Sequence, residues 1–116
     1  MNKKNINIAI IGLGNIGSYL YKYLLKKRNL LTKKTNITPN VIFVSAKNKQ
    51  KKRGIKIPKN IWLTNYLDAA THPKIDIVIE LIGGSDGPAK KLVFAALKNK
   101  KHVVTANKAL IAKHGD

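Results

Sequence analysis

Cysteine is missing from the 116 residues, which excludes disulfides and every metal site that needs a thiolate. Aromatic residues make up only 6% of the chain, and they are not interleaved with the lysines as in a stacking platform for nucleic acid. No apolar run approaches the roughly 20 residues of a membrane helix, and the first one is too short for a secretory signal. We therefore expect one cytoplasmic domain at most, with no metal, no membrane and no specific nucleic-acid partner.

Acidic side chains are scarce and are absent from the first 67 residues. The chain has 5 Asp and Glu against 23 Lys and Arg, for a formal net charge of +18. Residues 1–67 carry +15 of this charge, whereas residues 68–116 carry only +3. This imbalance favours an anionic partner, either a polyanion or a phosphorylated small molecule. The 21 Lys, 12 Asn and 15 Ile also fit a residue-usage bias towards A/T-rich codons, which would explain the charge without a partner.

Short apolar runs alternate with amphipathic stretches. The apolar runs predict buried strands at 6–11, 41–46, 76–81 and 102–105. Apolar residues at helical spacing predict one helix after the first strand and another that begins near Pro88. We expect a polar connection at 28–40, a basic loop at 47–60, an ambiguous segment at 61–72 and a further helix at about 107–114. The alternation predicts right-handed βαβ units around a parallel sheet.

A glycine-rich turn, Gly12-Leu13-Gly14-Asn15-Ile16-Gly17, follows the first predicted strand and opens the first predicted helix. This is the G-x-G-x-x-G pattern in the strand–turn–helix context that dinucleotide binding requires. Gly12 would permit the tight turn, Gly14 would let the backbone approach a diphosphate, and Gly17 would let helix and strand pack closely. The helix N-terminus adds N–H donors and a partial positive charge. We therefore predict a Rossmann-like α/β fold that binds a dinucleotide.

The end of the second predicted strand favours NADP(H) over NAD(H). NAD-binding domains usually place an Asp or Glu there, which binds the ribose 2′-hydroxyl and would repel a 2′-phosphate. Here the strand ends in Ser45-Ala46-Lys47-Asn48, and no acid precedes Asp68. In the basic loop, Arg53 is the better candidate for a planar bidentate phosphate contact, and Lys47 is a nearer point charge. Several of the other loop lysines are expected to be solvated.

The second half of the chain closely resembles the conserved core of homoserine dehydrogenases. That family has a strand ending in V-E-L-I-G-G, then a helix that begins with G-P-A, then G-K-H-V-V-T-A-N-K-A-L. Residues 80–84 and 102–110 match this pattern without a break. Asn99-Lys100 departs from the family's Gly-Lys at a helix-end turn. The first glycines and the basic loop lie where family members carry their cofactor-binding segments, so the resemblance covers nearly the whole chain.

The resemblance implies that L-aspartate 4-semialdehyde and L-homoserine are interconverted by hydride transfer with NADP(H). NAD(H) would be an alternative cofactor, and the reaction would serve the synthesis of threonine, methionine and isoleucine. It also implies roles for single residues. Leu13 to Ile16 would contact the diphosphate, and four residues would lie near the adenosine ribose: Ser45, Ala46, Lys47 and Arg53. Ile82, Gly83 and Thr105 would border the nicotinamide, with Lys108 between cofactor and substrate as the catalytic lysine. Its ammonium would stabilise charge on the aldehyde oxygen and donate or relay a proton.

The resemblance further implies a longer parent enzyme. We expect residues 1–116 to be its N-terminal dinucleotide-binding part, incomplete at the C-terminal end. The substrate-binding and dimerisation part, with a second catalytic lysine, would lie outside this sequence, and the full-length parent would be a homo-oligomer. If Glu80 is buried in its apolar strand, it would need a partner, either Lys108 or a backbone donor. The alternatives are another NADP-dependent Rossmann oxidoreductase and a small basic domain that binds polyanions.

Overall fold

The structure is a computed structural model, and it describes residues 4–49, 51, 53–83 and 87–106. Four parallel strands form one sheet in the order β2-β1-β3-β4. The strands are β1 (Lys4–Ile11), β2 (Ile37–Ser45), β3 (Ile77–Glu80) and β4 (His102–Thr105). The helices are α1 (Asn15–Thr35), α2 (Asp68–Thr71) and α3 (Pro88–Lys98), with a short 3-10 helix at Lys59–Ile61. The predicted α/β fold, a parallel sheet with flanking helices, is confirmed.

The sheet has an apolar layer on each face because successive residues of β1 point to opposite sides. Ile8 and Ile10 pack with Leu13 and Tyr21 under α1. The other face belongs to α2 and α3, where the buried cluster consists of Ala9, Ile11, Ala69, Ala70, Ile75, Val78, Leu92 and Ala96. Burial raises the pKa of the Tyr21 phenol above its ordinary value of 10.0. The central strands are therefore fixed from both sides, which gives their carboxyl ends a rigid base.

The prediction of a polar connection at 28–40 is wrong. Helix α1 continues to Thr35, Asn36 ends it in a left-handed conformation (φ 60°), and β2 begins at Ile37. Contacts between distant residues stabilise this arrangement. The Thr32 and Thr38 hydroxyls lie 2.8 Å apart, and the Arg28 guanidinium donates to Asn40 Oδ1. Pro39 is tolerated because β2 is an edge strand of the sheet.

The remaining predicted elements differ from the structure mainly in their bounds. Strand β3 is Ile77–Glu80 within the predicted 76–81, and β4 has the predicted bounds. The ambiguous segment 61–72 contains α2 and a bridge between Trp62 and Val44. The helix predicted at about 107–114 lies outside the described residues. In the part of the chain that the structure describes, no helix is long and apolar enough to cross a membrane.

The four carboxyl ends of the strands meet at one edge of the sheet, since all strands run the same way. That edge is therefore followed by Gly12 after β1, Ala46 after β2, Leu81 after β3 and Ala106 after β4. Open α/β sheets bind ligands in the crevice outside these ends. The glycine turn, the basic loop and the T-A-N-K segment all start there.

Candidate functional site

The turn between β1 and α1 depends on two glycines for steric reasons. Gly12 has φ 108°, and a Cβ there would lie 2.7 Å from both the carbonyl carbon and the oxygen of Leu81. A Cβ on Gly17 would lie 2.0 Å from the carbonyl oxygen of Gly12. The Gly12 N–H also donates to the carbonyl of Ser45 at 2.8 Å. Gly12 and Gly17 thus let the turn pack against the ends of β2 and β3.

Gly14 differs from these two glycines, because an added Cβ there would meet nothing within 4 Å. It is the N-cap of α1, and no side chain caps the helix. The first N–H groups of a helix lack partners within the helix, so they can donate to an anion. The first turn of α1 carries no acid that would repel one. The bare backbone of Gly14, the N–H groups of the first helical turn and the open space beside them fit the diphosphate of a dinucleotide.

Two cavities meet at Gly14. The strand-end cavity has a volume of about 420 Å³ and is lined by Gly14, Asn15, Ile16, Gly17, Leu81, Gly83 and Ala106. The basic cavity has a volume of about 260 Å³ and is lined by Gly14, Asn15, Ser18, Tyr19, Lys22, Lys51, Arg53 and Ile55. A dinucleotide has two halves joined by its diphosphate, so two cavities that share Gly14 and Asn15 suit the shape of this ligand.

Arg53 connects the basic loop to the glycine turn through backbone carbonyls. Its Nε donates to Leu13 O at 3.0 Å. Its terminal nitrogens donate to the carbonyls of Lys49 (3.3 Å), Lys51 (3.0 Å) and Asn48. The guanidinium also lies 5.9 Å from the ring centre of Trp62. These four hydrogen bonds leave at most one of the five guanidinium N–H groups for another acceptor.

The Leu13 carbonyl accepts a second hydrogen bond, from Ser18 Oγ at 3.1 Å. The C=O and N–H of a trans peptide point in opposite directions. Arg53 and Ser18 therefore turn the N–H of Gly14 away from themselves when they hold the Leu13 carbonyl. The orientation of this one peptide links the basic loop to the donor group that a diphosphate would meet.

Glu80 organises the other side of the site, at the end of β3. It is fully buried, with 0% of its surface exposed. Its carboxylate accepts hydrogen bonds from the N–H of Ile82 (2.6 Å), the N–H of Gly83 (3.4 Å) and the hydroxyl of Thr105 (2.5 Å). The backbone donor that the sequence suggested is thus present. Glu80 joins the exits of β3 and β4, the two segments expected to border the nicotinamide.

The structure brings most of the predicted site residues to one edge of the sheet. Leu13, Asn15 and Ile16 belong to the glycine turn and the start of α1. Ser45 is the last residue of β2, its carbonyl accepts a hydrogen bond from the Gly12 N–H, and Ala46 follows it. Lys47 is exposed and is not among the described residues that line the two cavities. Lys108 lies outside the described residues.

The sequence interpretation missed two cavity-lining residues of α1, Ser18 and Lys22. They follow Asn15 by three and seven positions, so the three side chains share one helix face. That spacing could have identified them as neighbours of the ligand. Among the described residues, no group of three or more His, Asp or Glu could hold a metal ion.

Comparison with known proteins agrees with this geometry. Residues 12–116 match the family described as the NAD-binding domain of homoserine dehydrogenase. The homoserine dehydrogenase of Bacillus subtilis is 37% identical over 112 residues, covering 97% of this chain and 26% of the relative. That of Synechocystis is 36% identical, covering 95% of this chain and 25% of the relative.

Solved structures give the same result. The crystal structure of Staphylococcus aureus homoserine dehydrogenase at pH 7.5 matches with a TM-score of 0.86 and 34% identity, covering 96% of this chain and 28% of that one. The enzyme of Thiobacillus denitrificans matches with a TM-score of 0.84 and 37% identity, covering 98% and 26%. The chain thus spans about a quarter of the length of its curated relatives. It belongs to the homoserine dehydrogenase family and carries that family's NAD-binding domain.

Proposed function

We propose that this chain is the dinucleotide-binding part of an enzyme that interconverts L-aspartate 4-semialdehyde and L-homoserine with NADP(H). The bound cofactor would supply or accept the hydride. The observation that carries the proposal is the position of Gly14, whose bare backbone lines both cavities at the N-terminus of α1. Substrate binding and the contacts of a homo-oligomer would then belong to the parts of the relatives' length that this chain does not span. A cytoplasmic location stays a prediction.

The two cavities suggest how the cofactor lies. The diphosphate would meet the backbone from Leu13 to Ile16, where the helix donors are available. The nicotinamide would enter the strand-end cavity, beside Ile82, Gly83 and Thr105. Glu80 supports this assignment because it fixes the two strand exits that border the cavity. The adenosine half would lie on the other side of Gly14, bordered by Ser45, Ala46, Lys47 and Arg53.

The absence of an acid near the adenosine half supports NADP(H) over NAD(H). Among the described residues that line the basic cavity there is no carboxylate, and there are three basic side chains: Lys22, Lys51 and Arg53. A carboxylate would repel a 2′-phosphate, whereas these side chains would attract it. A charge-assisted contact contributes about 1.5–3 kcal/mol, which corresponds to about ten- to hundredfold in affinity before solvent screening reduces it.

Lys108 is the residue that we assign to the chemistry. It follows β4 by three positions in the T-A-N-K segment. Hydride transfer to an aldehyde builds negative charge on its oxygen, and an ammonium would stabilise that charge and supply a proton. In the direction of oxidation, the same amine would take the proton from the hydroxyl.

Cofactor binding can be tested on the 116-residue chain by titration with NADPH. Gly14→Val should remove binding while the circular dichroism spectrum stays that of the parent, because the new side chain would occupy the space of the diphosphate. Gly14→Ala should give an intermediate loss. A folded Gly14→Val variant that binds NADPH as tightly as the parent would refute the proposed cofactor position.

The reaction can be tested in the complete enzyme, with NADPH absorbance followed in the presence of aspartate semialdehyde. Lys108→Ala should lower kcat/KM by about 10²–10⁴, the range for a positioned proton-transfer group, and should leave NADPH affinity nearly unchanged. Lys113→Ala, five positions further along the chain, is the matched control and should retain activity. Near-normal turnover by Lys108→Ala would remove the lysine from the mechanism.

A further inference from the structure

One face of α1 and the basic loop enclose the basic cavity beside the glycine turn. Asn15, Ser18, Tyr19 and Lys22 recur at helical spacing on this face, and the basic loop contributes Lys51, Arg53 and Ile55 to the lining. Tyr19 is 70% exposed although it is a large aromatic residue. The cavity is therefore lined by basic side chains from two elements and by one exposed aromatic ring.

Arg53 is the cation in this cavity whose donors are already engaged. Its guanidinium binds the carbonyls of Leu13, Asn48, Lys49 and Lys51, and it lies over the ring of Trp62. A bidentate contact to a phosphate needs two parallel N–H groups on one edge of the guanidinium. At most one N–H remains, so such a contact would require Arg53 to release the loop that it holds.

Two further basic residues of the loop, Lys47 and Lys49, do not line the cavity. Lys49 Nζ lies 5.6 Å from the ring centre of Trp62, and Lys47 is exposed outside the cavity lining. Lys22 of α1 and Lys51 of the basic loop both line the cavity. Their ammonium groups each have three rotatable donors, which suits a phosphate that approaches from solvent.

We propose that Lys22 of α1 and Lys51 of the basic loop recognise the 2′-phosphate of NADP(H), and that Arg53 is a positioning residue that holds the loop against the glycine turn. The inference rests on the proposed function, because it takes the diphosphate to lie at Gly14. It assigns the preference for NADP(H) over NAD(H) to a pair of lysines on two different elements. Sequence patterns would assign that preference to the strand end. Lys22 takes part because α1 starts at the glycine turn and presents its second turn to the same cavity.

The test compares two pairs of ligands on the 116-residue chain: NADPH with NADH, and adenosine 2′,5′-bisphosphate with adenosine 5′-phosphate. The second pair isolates the 2′-phosphate from any effect at the nicotinamide end. Lys22→Gln and Lys51→Gln should each weaken the 2′-phosphorylated ligand by about three- to fivefold, the range for exposed charge pairs, and the double variant by about tenfold or more. Affinities for NADH and adenosine 5′-phosphate should stay within about twofold of the parent, since no 2′-phosphate is involved.

Lys26→Gln is the matched control, because Lys26 is an exposed lysine one turn further along α1 that is not among the described residues lining the cavity. It removes the same charge and should leave the ratio of NADPH to NADH affinity unchanged. Lys22→Arg should retain most of the preference. The Lys51→Gln change keeps the backbone carbonyl that Arg53 binds, so the loop contact is preserved.

The outcomes separate this inference from the proposed function. Equal losses for 2′-phosphorylated and 2′-hydroxyl ligands, or equal effects of Lys22→Gln and Lys26→Gln, would overturn the assignment of the two lysines while dinucleotide binding stands. A parent chain that binds neither NADPH nor NADH would overturn the proposed function, and the inference with it. A selective loss of 2′-phosphorylated ligands in Lys22→Gln and Lys51→Gln would support both.

Discussion

Two regions of the site are each organised by one charged side chain, but the charges have opposite sign and different burial. In the strand-end region, residues 80–83 and 105–106, the buried anion Glu80 accepts from two backbone N–H groups and a hydroxyl. In the glycine-turn region, residues 12–18 and 46–55, the partly exposed cation Arg53 donates to four backbone carbonyls. Both side chains bind protein backbone and thereby fix the segments that would meet the cofactor.

The difference in burial decides what each side chain contributes. Removing the buried Glu80 carboxylate takes away the acceptor shared by two backbone N–H groups and a hydroxyl, so we expect the main loss in folding free energy. Around Arg53, water can replace a lost donor. Removing Arg53 should therefore change the geometry of the glycine turn and of the loop more than the folding free energy. The regions meet where Gly12 packs on the backbone of Leu81. Changes at this junction should affect both regions, and changes elsewhere should affect one.

The junction should give the largest effect. Gly12→Ala places a Cβ 2.7 Å from the Leu81 carbonyl. It also requires a backbone φ of 108°, which residues with a side chain rarely adopt. Strain and overlap together should lower the free energy of unfolding by about 3–5 kcal/mol, measured by urea denaturation. Gly14→Ala is the control and should change it by less than about 1 kcal/mol. A Gly12→Ala variant as stable as the parent would contradict the packing of the two regions.

Glu80→Gln should have the next largest effect, confined to the strand-end region. The amide group of Gln cannot accept at both positions, so about 2–3 kcal/mol of folding free energy should be lost. Amide hydrogen exchange of Ile82 should accelerate, because its N–H loses the carboxylate. The exposed Asp68→Asn control removes an acid without burial and should change stability little. Equal stability losses in the two variants would mean that overall charge, and not the buried contacts of Glu80, is responsible.

The sequence predicted the strands and the site edge because these depend on local patterns. The run at 6–11 is apolar except for Asn7, and the central strands of parallel sheets produce such runs. Gly12 and Gly17 are recognisable because their spacing matches a turn that only glycine allows. The second half of α1 was missed because its polar residues resemble a loop. Its contacts, Thr32 with Thr38 and Arg28 with Asn40, cross to another element and leave no local pattern.

Each of the two organising side chains also has one partner that is distant in sequence, and these two partners could not be predicted from it. Glu80 was recognised as a residue that needs a partner, but its hydroxyl donor, Thr105, is 25 residues away. Arg53 was assigned to a phosphate from its residue type and its loop, whereas its Nε binds Leu13, 40 residues earlier. Residue type indicates what a side chain can bind. Only the folded chain determines which acceptor lies within reach.

Arg53→Lys should separate positioning from phosphate recognition. A lysine ammonium has three donors and cannot bind all four carbonyls, so the glycine turn and the loop should no longer be held together. We expect NADH and NADPH affinities to fall together by about tenfold, equivalent to about 1.4 kcal/mol, as measured by calorimetry. Arg28→Lys, in the second half of α1, is the matched control and should leave both affinities unchanged. A loss restricted to NADPH would instead assign Arg53 to the 2′-phosphate.

Salt should give the smallest effect and the sharpest distinction between the regions. Lys22 and Lys51 are exposed, so dissolved ions screen their attraction for a 2′-phosphate, whereas the buried contacts of Glu80 are screened much less. Raising NaCl from about 0.05 to 0.2 M should therefore reduce the advantage of NADPH over NADH by a few-fold. The difference in unfolding free energy between the parent and Glu80→Gln should stay the same over that range. The opposite result would contradict this assignment: a ratio of NADPH to NADH affinity that does not change with salt, together with a stability loss in Glu80→Gln that becomes smaller.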